Sequence, residues 1–452
     1  MSPPTSWSSS GDEQLTHPDT DPSSGLWFCI VPSVTEDHAG AARLAWLDGL
    51  RGIAAMLVVY EHLTHTYFHG ARLALERWVY LGYVGVCVFF VVSGYIIPAS
   101  LERVGSLRRF WISRVLRLFP LYLVGCVAVI VLSFAGKWPV NPFVAANPGT
   151  AAVGHTMMMP GLLGVPEILG VIWTLAYEMA FYLIVSALFQ LGLQRASAPI
   201  ALLLAASAFL AGASMPVLLL SRGPSSTFAV AALAGLAVAG AIAAMLTGRP
   251  TLTAIGAVGG GLLAVGLLVA NQSPAHRFDG LLLPALMFTG TVIYRAERGQ
   301  ISRWWAVITP VILYAVWVWQ AYRELRGFGP TFVQYTSRVA ITLAVVAALF
   351  GAGFLARRAR IPRALAGLGL ISYSVYLLHP ILLHLFLDPV TPSTARWWQQ
   401  ALAVLGLVGV VVGVSTVTYR SIELPAQRFG RVLAGRAARV KAPRAEVVEA
   451  RT

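Results

Sequence analysis

The chain has 452 residues, of which 57% are hydrophobic and only 12% charged, with a mean hydropathy of +0.71. Soluble domains carry about 25% charged residues, so this composition excludes an ordinary soluble enzyme. Repeated apolar runs of about 20 residues predict instead an all-α, polytopic transmembrane helical bundle. The net charge of +14 is no nucleic-acid signature, because the arginines fall in short clusters between the apolar runs, where the positive-inside rule places them.

Residues 1–40 are rich in Ser, Pro, Asp and Thr and read as a disordered tail. The apolar island 26–34 within it is too short to span a bilayer. No Lys or Arg precedes Arg43, so the charged start of a secretory signal is absent. Residues 41–430 form the membrane domain, with spans near 46–65, 79–100, 116–135, 168–191, 199–219, 227–246, 252–270, 279–294, 304–320, 334–356, 367–387 and 398–419. Arg103, Arg108, Arg109, Arg114 and Arg117 crowd one side of this layout, joined by Arg295, Arg298, Arg303, Arg357, Arg358, Arg360 and Arg363. Fewer basic residues fall on the other side. That asymmetry predicts both termini in the cytoplasm and an even number of spans, with ten open beside twelve. Residues 431–452 form a basic cytoplasmic tail suited to anionic headgroups. The cysteines Cys29, Cys87 and Cys126 make no CxxC pair, so neither a disulfide framework nor a zinc site is expected.

The first span carries Arg51 and His62. Eleven residues apart, they project about 20° from one another, on one helix face and about three turns along it. Ionisable groups inside a membrane mark function by default; the bland alternative is a snorkelling arginine and a satisfied core histidine. The segment Gly85-Val86-Cys87-Val88-Phe89-Phe90-Val91-Val92-Ser93-Gly94-Tyr95 reads as an apolar helix with a small-residue packing seam. Next, Arg108-Arg109-Phe110-Trp111-Ile112-Ser113-Arg114-Val115-Leu116-Arg117 puts Arg114 and Arg117 three apart on one face at a cytoplasmic helix entry. Topology alone accounts for basic residues there, and guanidinium forks also suit phosphate oxygens. In Trp173-Thr174-Leu175-Ala176-Tyr177-Glu178, a carboxylate sits among aromatics; Glu178 needs a partner, an arginine or an imidazole that it orients. Ser372, Tyr376 and His379 line one face of Ile371-Ser372-Tyr373-Ser374-Val375-Tyr376-Leu377-Leu378-His379-Pro380, either as interhelical hydrogen-bonding groups or as substrate contacts. The last span closes at Glu423-Leu424-Pro425, where Pro425 is expected to stop the helix.

In this order the segments resemble the acyltransferase-3 family of integral membrane acyltransferases, over about residues 46–430. The resemblance implies transfer of an acetyl or other short acyl group from cytoplasmic acyl-CoA to a sugar hydroxyl. It carries the family's Arg-x10-His motif onto Arg51 and His62, RxxR onto Arg114 and Arg117, and the acidic position of the Trp-containing span onto Glu178. Two departures stand out. Glu61 precedes His62 where an apolar residue is commoner, which would perturb the imidazole, and twelve spans exceed the family's usual ten or so. No fused hydrolase-like domain follows the membrane part.

That resemblance implies His62 as general base, with Arg114 and Arg117 gripping the CoA phosphates. Arg51 would hold the donor or the oxyanion, and Glu178 would orient the site. The expected partners are acyl-CoA as donor substrate, a sugar-containing or lipid-linked acceptor and the lipid bilayer, with no nucleic acid, no bound metal and no permanent cofactor. The expected location is the cell inner or plasma membrane. Acceptor identity, acyl length and oligomeric state are open. A polytopic transporter or flippase of a polar or anionic solute is the rival from another class, and an O-acyltransferase built on one isolated intramembrane His is a second.

Overall fold

The computed structural model describes residues 38–66, 75–273, 280–326, 332–390 and 396–439. The expected disordered tail, with its apolar island and Cys29, falls almost wholly outside them, as do His69 and the last residues of the basic tail. The described chain is helical. Its elements are α1 (His38–Thr66), α2 (Leu81–Val104), α3 (Leu107–Phe134), α4 (Pro142–Ala146), α5 (Pro148–Thr156), α6 (Trp173–Gln190), α7 (Ser197–Ala211) and α8 (Pro224–Thr247). They continue with α9 (Pro250–Ala270), α10 (Leu282–Glu297), α11 (Trp305–Leu325), α12 (Phe332–Leu355), α13 (Arg363–Leu370), α14 (Ser372–Val390), α15 (Trp397–Thr418) and α16 (Leu424–Arg439).

Each predicted span coincides with a helix, but they are not alike. Eight helices are long and apolar enough to cross a bilayer, and the pair α13–α14 makes a ninth, bent by 69° at Ile371. The other three predicted spans are α1, α6 and α10. The last is only 16 residues long, and α1 and α6 carry Asp48, Arg51, Glu61 and Glu178 within their length. Arg51, His62 and Glu178 thus lie on helices outside the apolar nine, whereas Arg114 and Arg117 sit on α3, within them.

Small residues set the spacing around them. Gly85 of α2 lies on the Ala54 carbonyl of α1, and Gly94 on the backbone of Met287 in α10; a Cβ at either point would collide with main chain. Such close approach replaces the hydrophobic drive that helices lack in lipid. The expected packing seam in 85–95 is therefore present, but Phe89, Phe90 and Ser93 of the same segment also line a cavity, so packing is only part of its role. Two hydrogen bonds pin α3 between its neighbours. Trp111 Nε1 donates to Ser186 Oγ of α6 (3.1 Å), and the Tyr373 hydroxyl of α14 donates to the Leu118 carbonyl (2.8 Å).

Pro425 does not stop the last helix. A π-helical turn, Tyr419–Glu423, joins α15 directly to α16, and Pro425 sits in the first turn of α16. There its missing N–H costs no helical bond. The turn brings Glu423 within electrostatic reach of Arg51, midway along α1.

Candidate active site

Five helices converge on one cavity. Arg51 comes from α1; Phe89, Phe90, Ser93 and Ile97 from α2; Arg114, Arg117 and Leu118 from α3; Thr174 and Glu178 from α6; Ser372, Tyr373 and Tyr376 from α14. Glu423, beyond α15, completes the polar set, its carboxylate accepting from the Ser374 hydroxyl. The cavity measures about 80 Å³. At roughly 10–15 Å³ per water on that measure, it holds several waters or a slender chain, not a nucleotide.

Charge in this cavity is nearly balanced. Asp48 pairs with Arg51 at 3.6 Å. Glu178 and Glu423 face the same guanidinium, with Arg117 as its cationic neighbour. Three arginines against three carboxylates keep the cluster compensated in a low-dielectric surrounding, where an unpaired charge is costly. Arg114 is the most deeply placed of the three, 6% exposed. Its guanidinium lies 5.2 Å from the Phe110 ring centroid and 5.5 Å from that of Tyr182. Even so, Arg114 Nε and Ser372 Oγ are buried without a hydrogen-bond partner. Buried polar atoms are nearly always satisfied, so two orphans in one cavity wall mark an unmet demand for a ligand.

His62 is elsewhere. Along α1 it lies about 16 Å from Arg51, at about 1.5 Å per residue, and it does not line the cavity. Its neighbour is His379 of α14, with ring centroids 4.8 Å apart and His379 Nε2 3.4 Å from His62 Nδ1. His379 is fully buried, whereas His62 is exposed. Tyr376 links the two places: it lines the cavity, its ring lies 6.2 Å from that of His379, and its hydroxyl donates to the Val171 carbonyl at 2.9 Å.

All the expected residues are described, and of the two partners open to Glu178 it lies beside the arginines, accepting from the Tyr182 hydroxyl one turn along. Glu61 accepts the Gly82 N–H of α2 at 3.0 Å. Arg114, Arg117, Arg51 and Ser372 meet, as do His62 and His379. Sequence reasoning missed Glu423 and Asp48 as members of the arginine cluster. It also placed His379 on a polar face without its partner, since 317 positions separate the two histidines and no helical period connects them. Cys87 and Cys126 are free thiols, and no group among the described residues could hold a metal ion.

A family model for an acyltransferase domain, acyltransferase-3, matches residues 44–420. The chain is 31% identical over 156 residues to peptidoglycan O-acetyltransferase OatA of Listeria monocytogenes, covering 30% of this chain and 23% of that protein. It is 31% identical over 148 residues to acyltransferase MdmB of Streptomyces mycarofaciens, covering 31% and 38%. Nodulation protein 10 of Rhizobium leguminosarum is 28% identical over 175 residues, covering 35% and 47%. The matches therefore span less than half of each of these relatives. No solved structure matches the chain. With the family model running from α1 to the π-turn after α15, and eight or nine helical candidates for membrane spans among the described residues, the chain belongs to the acyltransferase-3 family of membrane proteins.

Proposed function

We propose that the protein moves an acetyl or other short acyl group from cytoplasmic acyl-CoA to a hydroxyl of a carbohydrate or glycosylated acceptor, in the cell inner or plasma membrane. The observation that carries the donor half is the cavity with Arg51, Arg114 and Arg117 in its wall and two buried polar atoms left unpaired. Guanidinium groups suit phosphate oxygens, and the narrow cavity suits the slender arm of CoA rather than its nucleotide. The nucleotide then stays at the arginine-rich cytoplasmic mouth, and the arm runs past Tyr376 toward His62.

In this reading neutral His62 takes the acceptor hydroxyl proton while the oxygen attacks the thioester carbon. The C–S bond breaks, and the proton returns to the departing CoA thiolate. Positioning and proton transfer suffice, so no acyl-enzyme is needed. Relatives named as acetyltransferases of peptidoglycan support a sugar acceptor. A macrolide-type or lipid-linked glycoside has the same reacting group.

The test is the apparent melting temperature of the detergent-purified protein with and without acetyl-CoA, since a ligand of the native state raises it by mass action. A rise that is lost in Arg114→Ala/Arg117→Ala supports the donor site. An unchanged melting temperature in folded wild type removes acyl-CoA as donor.

A further inference from the structure

We infer that His379 is the positioning residue of the base: its Nε2 is the acceptor that holds His62 in one tautomer and receives the Nδ1–H of His62 when that ring gains the acceptor's proton. This rests on the proposed role of His62 and adds the group that serves it.

The hydrogen-bond partners assign the tautomers. His62 Nδ1 lies 2.9 Å from the Val58 carbonyl, one turn back along α1. His379 Nδ1 lies 3.0 Å from the Val375 carbonyl, one turn back along α14. A carbonyl only accepts, so each Nδ1 carries a hydrogen in the neutral rings. His379 Nε2 is then bare and can only accept, and the donor facing it, 3.4 Å away, is His62 Nδ1. The remaining nitrogen, His62 Nε2, is left with a free lone pair on the exposed side of the pair. That is the atom a general base needs.

The asymmetry of burial fixes which ring does which task. His379 is fully enclosed, with Tyr376 on one side and His62 on the other, so no substrate reaches it. His62 is open. During transfer the acceptor proton goes to His62 Nε2, and the imidazolium now shares its Nδ1–H between the Val58 carbonyl and His379 Nε2. A bond to a charged donor is shorter and about twice as strong as its neutral counterpart. The 3.4 Å contact of the resting pair therefore tightens as charge develops, in the transition state and not before it. When the proton passes to the thiolate, the pair relaxes. A buried neutral imidazole thus fills the place that a carboxylate takes in hydrolase triads, without setting an anion in an apolar bundle.

The test uses full-length protein and two readouts, one of which needs no acceptor. Diethyl pyrocarbonate carbethoxylates a bare imidazole nitrogen, so mass spectrometry of the His62 peptide reports the nucleophilicity of Nε2. Transfer is followed as CoA release from acetyl-CoA with a methyl glycoside as acceptor probe. His379→Phe keeps a planar ring without an acceptor, and His379→Gln places an amide oxygen near the position of Nε2. The expected result is a loss of about 10–100-fold in kcat for His379→Phe, the range for partners that orient a functional histidine. KM for acetyl-CoA is unchanged, His62 carbethoxylation is slowed several-fold, and His379→Gln recovers both. A wild-type kcat in folded His379→Phe overturns the inference, as does a loss in KM alone or a Gln variant as slow as the Phe variant. His62→Ala is run in parallel. If it transfers at the wild-type rate, the base assignment falls and this inference with it; if it is inactive while His379→Phe is not, only the inference falls.

Discussion

Arg51, midway along α1, and His62, in its last turns, sit in opposite settings, a donor end and a base end of the site. At Arg51, three arginines and three carboxylates from four segments gather at and beside one cavity, balanced in number. At His62 two imidazoles each meet a main-chain carbonyl, and the neighbouring Glu61 carboxylate accepts the Gly82 N–H. The difference follows from what each end has to bind. A polyanionic donor needs fixed cations, and fixed cations in a bundle need compensating acids when the donor is away. A proton-transfer group needs the reverse, a site with no standing charge, so that the charge that appears during reaction is the one stabilised.

The largest effect that separates the ends comes from His62→Ala. General-base catalysis contributes about 10²–10⁴-fold, and transfer should fall by that order while acetyl-CoA still raises the melting temperature. Activity near wild type would dissolve the division of labour. Arg117→Ala, alone or with Arg114→Ala, should do the opposite. Each charge-assisted hydrogen bond is worth about 1.5–3 kcal/mol, so the KM for acetyl-CoA should rise about tenfold or more, with His62 carbethoxylation untouched. A variant that slows His62 modification as well would show the ends to be one electrostatic unit.

How much of this was readable in the sequence depends on the distance over which each relation acts. The helices were legible, because a run such as 81–104 has no way to satisfy its backbone in lipid except as a helix. Arg114 and Arg117 were legible as a pair through their spacing of three, and Arg51 and His62 as one face through their spacing of eleven. The spacing did not reveal that one face can run through two chemical settings. Glu178 shows the limit: its local sequence gives an acid that needs a partner, an arginine or an imidazole, and only the packing places it beside the arginines. Glu423 was hidden by Pro425, which reads as a helix stop; the π-turn that carries the chain onward also turns the carboxylate inward.

Glu423→Gln gives a smaller effect and tests whether charge balance matters at the donor end. The amide keeps a contact to Ser374 but withdraws one of the three acids. The expected result is a loss of about 1–3 kcal/mol in stability, measured by chemical denaturation in detergent, and no change in the reactivity of His62. Unaltered stability would mean that Asp48 and Glu178 suffice to hold the arginines.

Tyr376→Phe gives the smallest effect and is the sharpest probe of the boundary. The ring belongs to both regions, lining the cavity and packing near His379. Its hydroxyl bonds Val171 O and meets Thr174 Oγ1 at 2.9 Å. Thr174 Oγ1 also donates to that carbonyl, at 3.2 Å, so losing the phenol leaves no buried acceptor unpaired. The cost should stay near 1 kcal/mol, with kcat reduced only about fivefold and the acetyl-CoA KM unchanged. A fall in kcat as deep as that of His62→Ala would mean that the hydroxyl touches the reacting thioester. The boundary between donor end and base end would then be the reaction centre itself, with Tyr376 as its oxyanion donor rather than a spacer.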